Sequence, residues 1–420
     1  MEPLVVQPPW LAVCPFVLLL AAIALAPLFA ADWWSKHYSK LCFALAAIVI
    51  GYYVLSLQAS PRVLRTTGEY ISFITLIGSL FVVSGGIHIS IRGEATPLSN
   101  VLFLATGALI ANLLGTTGAS MLLIRPWIRA NKYRITAHHI VFFIFIVSNV
   151  GGCLTPVGDP PLFLGYLRGV HFWWVARHGW LIWLTGVGIL LAMFYLVDSR
   201  NYARAPKPVR EEMTAHERWR FEGLSNLPFL GVILGAVFIS HPPFLREALM
   251  IGAAVASYFT TRKEIHESNH FTLHPIREVA ILFVGIFATM MPALDWLTAN
   301  ASRLGTPTPG AFYFGSGLLS SVLDNAPTYL SFLSALLGIS GAANVPALLA
   351  SHPSGILAVS SGSVFFGANT YIGNGPNFMV KAIADHQRVH TPGFLEYIVR
   401  FTLPFMVPML IVVWLLFFRR

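Results

Sequence analysis

Asp159 and Asp324 are the residues of this chain best placed to do chemistry, because each falls inside a long apolar stretch where a carboxylate is expensive to keep. Asp159 stands in "TPVGDPP" (Thr155 to Pro161) and Asp324 in "LDNAPT" (Leu323 to Thr328). A carboxylate withdrawn from water can take a proton or pair with a cation, and the two compete for the same oxygens. Either Asp could instead cap a helix, since Asp is a preferred N-cap, and capping is compatible with ion binding.

The setting of Asp159 occurs twice. "GCLTPVGDPP" (Gly152 to Pro161) and "GANTYIGNGP" (Gly367 to Pro376) align without a gap at a separation of 215 residues. Gly152 matches Gly367, Thr155 matches Thr370, Gly158 matches Gly373, and Asp159 falls opposite Asn374. The glycines permit positive φ, and the prolines remove donors and stop a helix. Helix ends freed in this way offer carbonyls to a cation and N–H groups to an anion. Thr155, Thr370, Asn369 and Asn374 add neutral oxygens, a set that suits a hard cation. Irregular backbone at membrane depth is tolerated where it lines a cavity, and two such breaks in matching positions indicate a secondary transporter.

Other residue types carry less. His138, His139, His171 and His178 flank apolar spans without a carboxylate or cysteine at ligand spacing, so they read as interfacial side chains. Trp173, Trp174, Trp180 and Trp183 read as an aromatic belt. Asp198, Asp295 and Glu247 lie near predicted span ends, where solvation accounts for them, and Glu69 starts a span. Ser, His and Asp are too scattered for a hydrolytic triad, so an enzyme is not expected. The three cysteines, Cys14, Cys42 and Cys153, form neither a disulfide framework nor a zinc site, and no cofactor is implied.

The elements that must hold these residues belong to a membrane. The 420 residues are 56% hydrophobic and 11% charged, against roughly 25% charged in soluble domains. Mean hydropathy is +0.69. The net charge of +9 comes from Lys and Arg in short segments between apolar runs, which indicates cytoplasmic loops rather than a nucleic-acid partner. Full spans are expected near 11 to 30, 41 to 58, 69 to 91 and 178 to 198, then 226 to 240, 244 to 260, 276 to 294 and 396 to 418. The first is read as a retained span rather than a signal peptide, because Glu2 precedes it and no Lys or Arg does.

Two regions in each half are apolar but interrupted. Residues 98 to 129 around "NLLGTTG" (Asn112 to Gly118) and 309 to 337 around "LDNAPT" read as re-entrant hairpins. Residues 138 to 174 and 355 to 387 read as discontinuous helices. The expected fold is therefore an all-α polytopic membrane protein of two repeats, 1 to 198 and 226 to 420, joined by a cytoplasmic linker, 199 to 225. Each repeat has five crossings, one hairpin and one broken helix. An odd number of crossings inverts the second repeat. With both termini outside, 19 of the 27 Lys and Arg fall on the inner face, in keeping with the positive-inside bias.

"ANLLGTTGASMLLIRP" (Ala111 to Pro126), "SNVGGCLTPVGDPPLFLGYLRGVHFWW" (Ser148 to Trp174), "LDNAPTYL" (Leu323 to Leu330) and "SGSVFFGANTYIGNGPNFMVKAIAD" (Ser361 to Asp385) resemble the NhaD-like antiporter and citrate-transport branch of the ion transporter superfamily. The resemblance spans nearly the whole chain. It implies a homodimer in the bacterial inner membrane, each protomer with a scaffold part and a transport part. Carried over by position, it puts Asn112, Thr116 and Thr117 at the first hairpin tip and Gly152, Thr155, Gly158 and Asp159 in the first broken helix. Asp324, Asn325 and Thr328 then belong to the second tip, with Asn369, Thr370, Gly373 and Asn374 in the second broken helix. The dicarboxylate carriers of this superfamily have a Ser-Asn-Thr signature at their tips, whereas these tips read "NLLGTTG" and "DNAPT", a departure that counts against carboxylate transport. The expected function is Na⁺/H⁺ antiport by alternating access, with Na⁺ and H⁺ competing at Asp159 and Asp324. Transport of citrate or another oxyanion is the alternative.

Overall fold

The structure, a computed structural model, describes residues 7–90, 95–204, 220–239, 241–269, 271–300 and 308–419. The first half holds helices α1 (Cys14–Phe29), α2 (Ala31–Gly51), α3 (Ser60–Gly85), α4 (Pro97–Ala130), α5 (Ala137–Ile146), α6 (Pro160–Leu167) and α7 (Trp174–Arg204). The second holds α8 (Leu227–Ala236), α9 (Leu245–Thr260), α10 (Lys263–Ser268), α11 (His274–Asn300), α12 (Pro309–Ser320), α13 (Asn325–Ser340), α14 (Val345–Ser351), α15 (Pro353–Phe366) and α16 (Gly375–His386). A last helix, α17 (Phe394–Phe417), closes the described chain.

Among the described residues seven helices are long and apolar enough to cross a membrane, or up to eight if α13 and α14, bent by 71°, count as one span. The chain is a helical polytopic membrane protein. Two expected spans come out short. Residues 226 to 240 and 244 to 260 give α8 with 10 residues and α9 with 16, each shorter than a helix that crosses a bilayer.

Helix α4 passes the length and composition test for a span, yet it is not one straight rod. Gly115 has φ 75° and ψ 155° inside it, a conformation that a side chain resists and glycine accepts. The two arms lie side by side: Phe103 stacks on Trp127 at 5.3 Å, and the Asn100 amide donates to Asn131 at 2.8 Å. Both pairs are centred within one residue of Gly115, so the segment folds back there. Helices α12 and α13 fold back likewise, with the rings of Phe312 and Phe332 6.4 Å apart.

The expected 199 to 225 linker divides three ways. Residues 199 to 204 extend α7, residues 205 to 219 lie outside the described residues, and Arg220–Glu222 forms a strand. That strand pairs antiparallel with His88–Ser90, a two-stranded exception to an otherwise helical fold. The core is continuous. Phe73 of α3 stacks on Phe283 of α11 at 4.7 Å, and Phe142 of α5 meets Phe405 of α17 at 5.0 Å.

Candidate ion site

Two interrupted helices create the site. After α5 the chain makes a 3₁₀ turn at Val150–Gly152, runs through irregular backbone, and enters α6 at Pro160 with Asp159 in the N-cap position. Proline suits that first position because its missing N–H would have no helical partner there. Gly158 lies against the turn so closely that a Cβ on it would sit 2.1 Å from the Gly152 carbonyl oxygen. The second break repeats this approach, with Gly373 facing the Gly367 oxygen at 2.6 Å.

Asp159 is 1% exposed, and among the described residues its carboxylate makes no cap bond to α6. It turns instead to three neutral donors. Thr116 Oγ1 donates to Oδ1 at 2.8 Å, Asn325 Nδ2 to Oδ2 at 2.6 Å, and Asn374 Nδ2 to Oδ1 at 3.3 Å. Thr116 belongs to the first hairpin tip, Asn325 opens the second hairpin's return arm, and Asn374 lies in the second break. Capping does not explain this residue. Asp324 behaves differently: it is half-buried, caps α13 by accepting from the Ala326 N–H at 3.0 Å, and accepts at its carbonyl from Thr328 Oγ1 at 3.0 Å.

Each tip is clamped to its own break by matching bonds. Thr155 Oγ1 donates to the Asn112 carbonyl at 2.6 Å, and Thr370 Oγ1 donates to the Ser321 carbonyl at 2.6 Å. Asn112 adds a second bridge in the first half, giving Nδ2 to the Gly151 carbonyl at 2.7 Å and accepting from the Leu154 N–H at 2.9 Å. Thr116 N–H donates to the Gly158 carbonyl at 2.8 Å. Asn369 gives Nδ2 to Ser321 Oγ at 2.9 Å. Thr117 makes no such bridge among the described residues; it lines a mainly apolar cavity with Thr116, Val157, Phe163 and Phe73.

Two oxygens are left over. Asn325 Oδ1 and Asn369 Oδ1 are buried without a hydrogen-bond partner among the described residues. A buried orphan acceptor is costly, and a cation is one group that would satisfy it. Asn325 must present its nitrogen to the Asp159 carboxylate, so its oxygen is fixed outward from that bond.

Several residues at the site escaped the sequence reading. Trp183, assigned to the belt, donates Nε1 to the Gly151 carbonyl at 2.8 Å, and Trp174 is buried. Ser148, Asn149 and Asn377 are fully buried polar residues between the breaks, and Ser120 Oγ lies 2.7 Å from Ser148 Oγ. Ser321 carries no signal in sequence; only its alignment with the first tip could have found it.

The span-end carboxylates also differ from expectation. Asp198 is 0% exposed and pairs with the Arg134 guanidinium, while His138 and His139 place Nε2 at 3.3 and 3.1 Å from its Oδ1. Residues from three elements meet there, which sequence spacing does not reveal. Glu247 is buried against Ser72 at 2.5 Å, Asp295 binds Arg62 at 3.0 Å, and Glu69 binds Arg168 at 2.8 Å. None of the four is explained by solvation alone.

Comparison with known proteins agrees with this architecture. Residues 6–418 match the family described as "Putative citrate transport". A relative from Mycobacterium leprae (strain TN), named as a 46 kDa membrane protein, is 27% identical over 363 residues, covering 79% of this chain and 77% of the relative. With nearly its whole length inside one family model, this chain belongs to the membrane-protein family described as "Putative citrate transport".

Proposed function

We propose that the chain is a secondary transporter in which Asp159 holds the coupling cation, exchanging a proton for Na⁺ as the transport part moves between the two faces of the membrane. The observation that carries this reading is the buried Asp159 carboxylate, held by neutral donors from both halves, with the orphan oxygen of the Asn325 amide beside it. Neutral donors keep the oxygens in place without cancelling the charge that attracts a cation. Asp324, next to Asn325, is the second exchange group. The paired Thr155 and Thr370 clamps support an inverted repeat, and the charge asymmetry supports both termini outside in a bacterial inner membrane.

A second reading, citrate transport coupled to the same cation, is favoured by the description of the family. One experiment separates them. Proteoliposomes containing only this protein are given a Na⁺ gradient and followed with an internal pH dye, and in parallel with labelled citrate. Na⁺-driven proton movement without citrate uptake supports antiport; Na⁺-dependent citrate uptake with no pH change overturns it.

A further inference from the structure

Asn374 has more acceptors than hydrogens. Its Nδ2 lies 3.3 Å from Asp159 Oδ1, 3.1 Å from the Ser148 carbonyl and 3.1 Å from Asn149 Oδ1, and an amide nitrogen has two hydrogens to give. Which acceptors receive them depends on the charge of Asp159. An ionised carboxylate draws a donor more strongly than a neutral one. When a cation or proton neutralises Asp159, the Asn374 hydrogens settle on Ser148 and Asn149.

From Asn149 the bonds run on in one direction. Asn149 Nδ2 donates to Asn377 Oδ1 at 2.7 Å, and Asn377 Nδ2 donates to the Gly367 carbonyl at 2.8 Å and the Thr370 carbonyl at 2.9 Å. Those two carbonyls lie within the second break. Asn149 and Asn377 are both 0% exposed, so water does not compete for these bonds. Donors and acceptors aligned head to tail polarise one another, so a change at one end is felt at the other. The remaining Asn149 hydrogen goes to the Ile144 carbonyl at 2.8 Å, which anchors the relay to the end of α5.

We propose that Asn149 and Asn377 are positioning residues that carry the charge state of Asp159, received through Asn374, on to the Gly367 and Thr370 carbonyls of the second break. Neither touches the carboxylate in a hydrogen bond. They set how firmly Asn374 is held toward it and they fix the carbonyls of the break that faces it. This rests on the reading of Asp159 as the cation site.

The test has two arms on the full-length chain, using serine variants that keep a small hydroxyl. In proteoliposomes, Asn149→Ser and Asn377→Ser are each expected to raise the half-saturating Na⁺ concentration about fivefold at unchanged maximal rate, and the double variant about fivefold again rather than about 25-fold, since both cut one relay. Multiplied effects, or no effect, overturn the proposal. In the second arm the melting temperature is measured in detergent without Na⁺ for Asp159→Asn, Asn377→Ser and the double variant. Residues that share no bond should add, so non-additive shifts support the relay and additive shifts overturn it. If the unmodified protein does not respond to Na⁺, the reading of the site fails by itself, and the melting arm still decides the relay.

Discussion

The Asn325 side chain donates to the Asp159 carboxylate at 2.6 Å across 166 residues of chain. Acceptor and donor belong to different halves, so the carboxylate is oriented only when the second hairpin is docked against the first broken helix. The Thr116 hydroxyl, from the opposite hairpin, completes the grip at 2.8 Å.

Replacing Asp159 separates charge from shape. Asp159→Asn is expected to abolish Na⁺-driven proton movement while the protein still elutes as one folded species, because an amide still accepts a hydrogen bond but holds no exchangeable proton. Asp159→Ala leaves buried donors without an acceptor, each costing about 1–3 kcal/mol, and should melt measurably earlier than the Asn variant. Full exchange activity in Asp159→Asn would end the carboxylate mechanism.

Asp324→Asn keeps the cap on Ala326, since Asn and Asp cap equally well. Folding should therefore be unaffected. Loss of this second exchange group is expected to abolish Na⁺-driven proton movement, as read from Na⁺ titration of exchange. An unchanged titration would reduce Asp324 to a structural cap.

Backbone crowding at the breaks predicts a sharp contrast among glycines. Gly158→Ala places a methyl 2.1 Å from a carbonyl oxygen and should prevent correct assembly, giving aggregated or early-melting protein. Gly231→Ala in α8 meets nothing within 4 Å and should stabilise by up to about 1 kcal/mol through helix propensity. Equal melting temperatures for the two variants would contradict the packing described.

Removing Arg134 strands the buried Asp198. Arg134→Ala is expected to cost about 3–5 kcal/mol, whereas the apolar pair Arg134→Met with Asp198→Leu should recover much of it. Thermal melting of both in detergent checks this.

Membrane orientation is open to direct labelling. Cysteines at positions 210 and 303, both outside the described residues, should react with an impermeant reagent from opposite faces, 210 from inside and 303 from outside. Labelling from the same face would remove the inverted arrangement.

The part of the site that could be read from sequence was the part written in glycine, proline and acid. "TPVGDPP" announces a break because few other structures need that combination, and the gapless match to "TYIGNGP" points to its counterpart. The Arg134, His138, His139 and Asp198 cluster could not be read, since its members come from a loop, from α5 and from α7 and meet only after packing. Asn149 and Asn377 were silent for another reason. They do not occupy matching positions in the two breaks, so alignment gives them no partner. Pro242 and Pro243 were visible, yet hydropathy alone drew a full span up to them, while the helix before them stops at Ala236.

Helix α5 bears on how the protein is built. Residues 138 to 146 are all buried, and the helix is 10 residues long, about 15 Å at 1.5 Å per residue. That is half the thickness of a hydrocarbon core. A segment this short cannot stand alone in lipid, since its unpaired terminal groups would be left at mid-depth. Its place in the membrane therefore depends on the helices around it, among them α17, whose Phe405 meets Phe142. A stretch that looks self-sufficient by its apolarity is thus held in place by partners from both halves of the chain.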